Sequence, residues 1–361
     1  MRLVIATPLY PPEIGGPATY AKLLAGALPA KGIEVELVKF SDVRHFPKLI
    51  RHYIYYRRVC AALQHADVVL ALDPVSVGFP AMRAAKKMRK PFLVKIVGDY
   101  AWEQGRHRFG VTENLDEFVK RKQPSLQVRV LQRIQIRVAL RASRIIVPSN
   151  YLKTIVMAWG IPSENIQVIY NAVHIEDLGL VPENVTQLPR PLVVTAGRFV
   201  PWKHIDGVID AVASIPQASL AVIGDGPLQA SLTRYAHTKL PGRSVFTGML
   251  SHQDALATIH SADVFVLNSS YEGLSHFLIE ALSVGVPIIA TRVGGNTEVI
   301  TDESNGLLID SGDSKLLAAT LSRVFADTAL QGRLRREATE SAKRFSEETM
   351  LASTTQLLQT L

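Results

Sequence analysis

A single cysteine, Cys60, stands in 361 residues, so no internal disulfide can form and nothing in the sequence points to an oxidising compartment. Nowhere do 18 apolar residues run unbroken, which leaves no candidate for a membrane-spanning helix. The opening Met1-Arg2-Leu3-Val4-Ile5-Ala6 is too short for a signal-peptide core and is soon cut by Pro8, Pro11 and Pro12; cytoplasmic residence is the expectation. The sequence also lacks HExxH, CxxC, GxSxG and any paired Asp/His cluster, so no metal site and no covalent nucleophile is expected. Neither a GxGxxG fingerprint nor a Walker motif follows the first strand candidate, which disfavours a dinucleotide dehydrogenase or P-loop enzyme.

What is present is a globular composition, 47% hydrophobic and 20% charged, which excludes a disordered chain, a collagen-like fibre and a disulfide scaffold. The net charge of +8 is uneven: residues 1–180 hold 26 Lys and Arg against 14 Asp and Glu, and residues 181–361 hold 14 against 18. An anionic partner for the first half follows, with nucleic acid, an acidic lipid surface and a phosphorylated substrate all open at this point.

Short β-branched runs alternate with helical patterns throughout, the mark of βαβ units and parallel sheets covered on both faces. Strands are predicted at Arg2–Ala6, Glu34–Phe40, Asp67–Leu72, Phe92–Val97, Arg144–Val147 and Gln167–Ile169 in the first half. In the second they are predicted at Leu192–Ala196, Ser219–Ile223, Ser244–Thr247, Val264–Leu267, Pro287–Ala290 and Gly306–Ile309. Among the predicted helices are single long ones over 112–142 and 314–345. The fold class is therefore α/β, with two Rossmann-like doubly wound domains. The first takes residues 1–172, a linker 173–190, the second 191–345, and a last helix 346–361 follows. Open sheets of this kind bind ligands beyond the carboxyl ends of their strands, so two such domains are expected to present a cleft there.

The residues just after the strands carry the chemistry. Gly15-Gly16 before the first helix lets backbone N–H groups approach an anion, or is simply a sharp Pro/Gly turn. Arg198 and Lys203 set two cations five residues apart, suited to a diphosphate or equally to solvent. Gly224-Asp225-Gly226-Pro227 opens another helix and is a weak Gly-rich signal. The richest segment runs from Asn268 to Ser283: Glu272 in a loop, Gly273, Leu274 and Ser275 presenting N–H groups with Ser275 as N-cap, and Glu280 in the second helical turn. Ionised carboxylates only accept hydrogen bonds, so Glu272 and Glu280 suit sugar and ribose hydroxyls. Asp99, ending a strand in Val97-Gly98-Asp99, is either an acid/base or acceptor-binding group, or a helix cap.

Taken in order, the Gly-Gly turn, Gly197-Arg198 with Lys203, Glu272-x7-Glu280, Gly285-x-Pro287 and Gly294-Gly295-x-x-Glu298 resemble the retaining glycosyltransferases of the group 1, family 4 type, which have the GT-B fold. The resemblance covers nearly the whole chain. It implies a UDP- or GDP-sugar donor, with Gly16 against the donor diphosphate and Arg198 and Lys203 on its phosphates. Glu272 and the Gly273–Ser275 backbone would hold the donor sugar, and Glu280 the ribose. The segment Thr247-Gly248-Met249-Leu250 would contact the base, with Met249 and Leu250 as the contact residues. No cofactor and no metal is implied. The acceptor would be a hydroxyl, lipid-linked or on a polysaccharide, with Asp99 on the acceptor side. Members commonly have a histidine near that position, which this chain lacks. The helix 346–361 would return to the first domain.

The basic first half then suits an acidic membrane: Arg44, Lys48, Arg51, Arg57 and Arg58 are interspersed with Phe46, Leu49, Ile50, Tyr53, Ile54, Tyr55 and Tyr56, and Arg83, Lys86, Lys87, Arg89 and Lys90 follow. A peripheral place at the inner membrane face and no nucleic acid are expected. The competing readings are a nucleotide-sugar 2-epimerase of the same fold and a nucleic-acid-binding protein, the latter without a recognisable motif.

Overall fold

The computed structural model describes every residue except 14, 122–124 and 174–176, and only the backbone of Lys48 and Leu49. The side chains of those two, counted above in the basic aromatic stretch, therefore lie outside the described residues, as do parts of the predicted helix 112–142 and of the stretch 173–190. The chain divides into two compact units, Met1–Tyr170 with Met350–Leu361, and Asn171–Thr349.

The first unit holds a six-stranded parallel sheet of β1 (Arg2–Thr7), β2 (Glu34–Lys39), β3 (Val68–Ala71), β4 (Phe92–Lys95), β5 (Arg144–Val147) and β6 (Ile166–Val168), in the order β2-β1-β3-β4-β5-β6. The second repeats the scheme with β7 (Leu192–Ala196), β8 (Ser219–Ile223), β9 (Ser244–Gly248), β10 (Val264–Leu267), β11 (Ile288–Thr291) and β12 (Leu307–Ile309), in the order β12-β11-β10-β7-β8-β9. Strands such as Val68–Ala71 and Val264–Leu267 are buried along their whole length. Their unbroken apolar sequence is what a parallel strand covered on both faces requires. Val193, Val222, Val264 and Ile289 pack in one core with Val208, Val212, Leu317 and Leu321 of the covering helices.

Two predicted long helices are broken, each by a side chain that caps a new start. Asp327 accepts from the Leu330 N–H at 2.8 Å and splits 314–345 into Ser314–Ala326 and Thr328–Ala342, followed by a single 3-10 turn at Lys343–Phe345. In place of 112–142 stand Leu115–Phe118, capped by Asn114, and Leu126–Ala139, capped by Ser125. A further helix not predicted, Tyr100–Arg108, begins at Asp99. The helical pattern runs on across Asp327, where the local cap decides the boundary, whereas the polar run 120–123 and Pro124 already mark a break inside 112–142. The stretch 173–190 is counted with the second unit, where the Gly179 and Leu180 N–H groups donate to the Gln253 carbonyl and the Asp254 carboxylate.

Candidate functional site

In the second unit the chain leaves β7 to one side for β8 and β9 and returns on the other to β10, so strand order reverses between β7 and β10. Loops leaving two adjacent strands in opposite directions open a crevice at their carboxyl ends. The loop after β7 carries Arg198 and Lys203, and the loop after β10 carries Glu272. They are stitched together: Ser270 N–H donates to the Trp202 carbonyl at 2.8 Å, and the Asn268 side-chain amide to the His204 carbonyl at 3.0 Å.

Within this frame Lys203 Nζ lies 2.5 Å from Glu272 Oε1, which also accepts from Ser269 Oγ at 2.6 Å. The Lys203 and Glu272 side chains are only 16% and 10% exposed, so the pair is largely withdrawn from water. There a charge interaction is stronger than at the surface. Ser269 is held in turn, its carbonyl accepting from Thr291 Oγ1 at 2.5 Å. Behind Glu272, the Gly295 N–H donates to its carbonyl at 3.0 Å, and a Cβ at Gly295 would collide with the Gly273 carbonyl oxygen. Only glycine lets that turn lie so close. Arg198 is exposed, and its side chain makes no ion pair or hydrogen bond among the described residues.

One helix turn further on, Ser275 caps the helix His276–Ser283 by accepting from the Leu278 N–H, as its sequence position predicts. Glu280 on that helix is 10% exposed in its side chain and lies 3.2 Å from His252 Nε2. Met249 is exposed and Leu250 half-buried, after Gly248 in a left-handed backbone conformation at φ 70°. Gly226 has a structural reason of its own: at φ 155° it packs on Phe199, and a Cβ there would lie 2.6 Å from the Phe199 nitrogen. Gly273 and Leu274 complete the turn over Glu272. The structure thus brings Lys203, Glu272, Gly273 and Ser269 into contact or succession and ties Glu280 to His252. Ser269 and His252 escape sequence reasoning, because a serine in Asn-Ser-Ser and a histidine after a serine cap carry no motif.

In the first unit the order reverses between β1 and β3 instead. Gly15 is the N-cap of the helix Gly16–Ala27, with φ 149° and no side-chain cap. In the loop after β3, Asp73 accepts from the Val75 and Ser76 N–H groups, both at 2.6 Å, and burial pushes its carboxyl up to about 6. Asp99, one strand further out, is fully buried and caps the helix Tyr100–Arg108 through the Trp102 N–H at 2.9 Å. Burial raises its carboxyl against the pull of Gln135 and the Trp102 N–H. Lys95 at the end of β4 is also buried, its Nζ 3.5 Å from the centre of the Tyr20 ring, and burial draws its amine down to about 7. Asp73 and Lys95 were not singled out from sequence, since neither sits in a motif. Among the described residues no three His, Cys, Asp or Glu side chains gather as a metal site.

These two parallel units, each with its crevice at the strands' carboxyl ends, are the halves of the GT-B fold, and known structures agree. HepE of Anabaena, solved in complex with UDP, superposes with a TM-score of 0.77 over 100% of both chains at 20% identity, a likeness of fold alone. The chain matches the model of glycosyl transferases group 1 over residues 181–344 and that of glycosyltransferase family 4 over residues 14–177. It belongs to the group 1 glycosyltransferases. Similar curated proteins include the lipopolysaccharide core biosynthesis glycosyltransferase LpsD of Rhizobium meliloti, 34% identical over 56% of this chain and 59% of that protein. Another is a GDP-mannose-dependent monoacylated alpha-(1-6)-phosphatidylinositol monomannoside mannosyltransferase of Corynebacterium glutamicum, 32% identical over 38% of each. The chain spans about half the length of the curated relatives it matches.

Proposed function

We propose that this chain transfers a sugar, with retention of its anomeric configuration, from a UDP- or GDP-sugar to an acceptor hydroxyl, without a divalent metal. The observation that carries this is the largely buried cluster of Lys203, Glu272 and Ser269 at the strand-order reversal, with an unpaired Arg198 on the same loop as Lys203. Arg198 and Lys203 supply the positive charge that a departing diphosphate needs, work often given to a metal ion. Glu272 engages Lys203; an arriving phosphate draws the ammonium toward itself and leaves Glu272 to accept sugar hydroxyls. Glu280 takes the ribose. The leaving phosphate itself receives the acceptor's proton on the same face of the sugar, so no protein base is required. UDP is bound by HepE and GDP-mannose is the donor in the Corynebacterium relative's name, which leaves both bases in play.

Membership of a transferase family favours this reaction over the 2-epimerase alternative. Incubation with UDP- and GDP-sugars and candidate acceptors in the presence of a chelator, with the product's anomeric configuration read by NMR, tests it. Retained configuration with chelator present is expected; an inverted linkage, a 2-epimerised free donor or a metal requirement would overturn it.

The acceptor proposed is lipid-linked and met at an acidic membrane. Helices Lys48–Ala62, Gly78–Met88 and Leu126–Ala139 pack side by side in the first unit. Their outward residues include Ile50, Tyr53, Arg57, Arg83, Lys86 and Lys87. Two cations of the expected cluster are already engaged, Arg44 by Glu13 and Arg58 by Asp42. The third helix and the two residues after it add what that cluster did not include: Arg129, Arg133, Arg137 and Arg141 recur every four residues, with Leu126, Val130 and Leu140 exposed among them. Residues 118–163 contain nine Lys or Arg and no Asp or Glu. No helix among the described residues is long and apolar enough to cross a membrane. Co-sedimentation with vesicles containing phosphatidylglycerol, weakened by Arg133→Glu with Arg137→Glu, supports the docking; equal recovery with neutral vesicles would sink it.

A further inference from the structure

His252 is the first residue of the helix His252–His260, whose cap Ser251 accepts from the Asp254 N–H at 3.1 Å. Its Nε2 reaches Glu280 Oε1 at 3.2 Å across 28 positions of sequence. An ionised carboxylate can only accept, so the hydrogen of this bond resides on Nε2 of the imidazole. The placement is specific. His252 follows Met249-Leu250 by two residues, so one rigid segment ends in the proposed base contact and begins a helix that grips the proposed ribose contact.

We propose that His252 is a positioning residue for nucleotide recognition: by donating to Oε1 it fixes the rotamer of Glu280 and presents the remaining acceptor sites of that carboxylate to the ribose hydroxyls. This rests on the assignment of Glu280 to the ribose. The physical gain is preorganisation. A glutamate has several rotatable bonds, and ordering it when the nucleotide arrives costs part of the binding free energy; a partner already in place has met that cost in the free protein. Glu280 is largely buried by the surrounding helix and loop, whereas His252 is 51% exposed in its side chain, so the histidine can be changed without opening the core. The coupling also makes ribose recognition depend on where the base loop ends, since a shift of that loop would carry His252 with it.

A calorimetric comparison of UDP and GDP with their 2′,3′-dideoxy forms isolates this role. His252→Ala should weaken the preferred ribonucleotide about fivefold to tenfold, the equivalent of one hydrogen bond, and leave its dideoxy counterpart within about twofold of wild type. His252→Gln, whose side-chain amide can donate from a similar reach, should recover most of the loss. Equal weakening of both nucleotides, weakening of neither, or failure of glutamine to rescue would overturn the proposal. Melting curves separate unfolding from weakened binding, and glutamine serves as the second variant should alanine fold poorly. Glu280→Ala distinguishes the two layers. If it weakens ribo- and dideoxynucleotide equally, the ribose assignment itself falls; if it weakens the ribonucleotide alone and His252→Ala does not, only the inference about His252 falls.

Discussion

The two units are built on nearly the same six-stranded parallel sheet, yet they spend their charged residues differently. In the second unit, strands in the order β12-β11-β10-β7-β8-β9 place the reversal between β7 and β10; the loops on either side hold an ion pair and a bare arginine, and the helices His276–Ser283 and His252–His260 hold a second carboxylate with its histidine. In the first, the order β2-β1-β3-β4-β5-β6 moves the reversal to β1 and β3. The titratable groups after β3 and β4, a half-buried Asp73 and the buried Lys95 and Asp99, are drawn into the unit, and desolvation pushes each toward its neutral form. Exposed cations of the first unit, Lys86, Lys87, Arg133 and Arg137 among them, lie on helices instead. Fold alone therefore does not locate chemistry: what differs is whether a loop at a strand's end keeps its charged group paired and reachable or folds it into the core.

The sharpest way to break that contrast is to remove the second unit's cations singly. Arg198→Ala should lower the transfer rate by roughly 10²–10³, the cost of one transition-state donor, with the melting temperature unchanged because Arg198 is exposed and unpaired. Lys203→Ala should cost a similar factor and also lower stability by about 1–3 kcal/mol, since Glu272 would be left largely buried without its partner. Steady-state kinetics with differential scanning fluorimetry read both. A rate loss below tenfold in either variant would take the diphosphate away from this loop.

Much of this contrast was legible in the sequence of the second unit. Glu272, Glu280, Arg198 and Lys203 sit at fixed distances from apolar runs that can only be buried strands, and Ser275 announces the helix that follows. The residues that orient them were not legible. Ser269 reaches Glu272 within three positions but has no pattern of its own, and His252 meets Glu280 only because two helices pack. Helix boundaries failed for a related reason: Asp327 starts a new helix through one hydrogen bond while the helical pattern around it continues, although the polar run 120–123 and Pro124 before Ser125 are a readable stop signal inside 112–142. In the first unit the burial of Asp73, Lys95 and Asp99 depends on covering helices from distant parts of the chain. The Tyr20 ring against Lys95 comes from the helix Gly16–Ala27.

Lys95 offers a test confined to the first unit. Its folded value near 7 lies below the ordinary 10.5, so between those pH values the unfolded chain holds a proton that the folded chain has released. Stability contributed by this group therefore rises with pH across that window, by up to about 1.4 kcal/mol per pH unit, and below about 7 the full cost of a buried ammonium is present. Lys95→Met should raise the melting temperature at pH 7 and flatten its rise toward pH 9. Parallel slopes in the two proteins would mean that Lys95 titrates normally.

The smallest expected effect bears most directly on how far the units differ in role. Asp99 could be a proton-handling group on the acceptor side, or the cap that its Oδ1 contact with the Trp102 N–H makes it. The two roles separate under substitution, because asparagine caps a helix nearly as well as aspartate but cannot take a proton, whereas alanine does neither. If capping is the whole role, Asp99→Asn keeps most of the transfer rate and Asp99→Ala loses about 1 kcal/mol of stability, read by urea unfolding of each variant. A general base would instead show a rate loss of roughly 10²–10⁴ in the asparagine variant at unchanged stability. The geometry favours the first outcome: the carboxyl is fully buried, and its bond from the Trp102 N–H is what starts the helix Tyr100–Arg108 where it does.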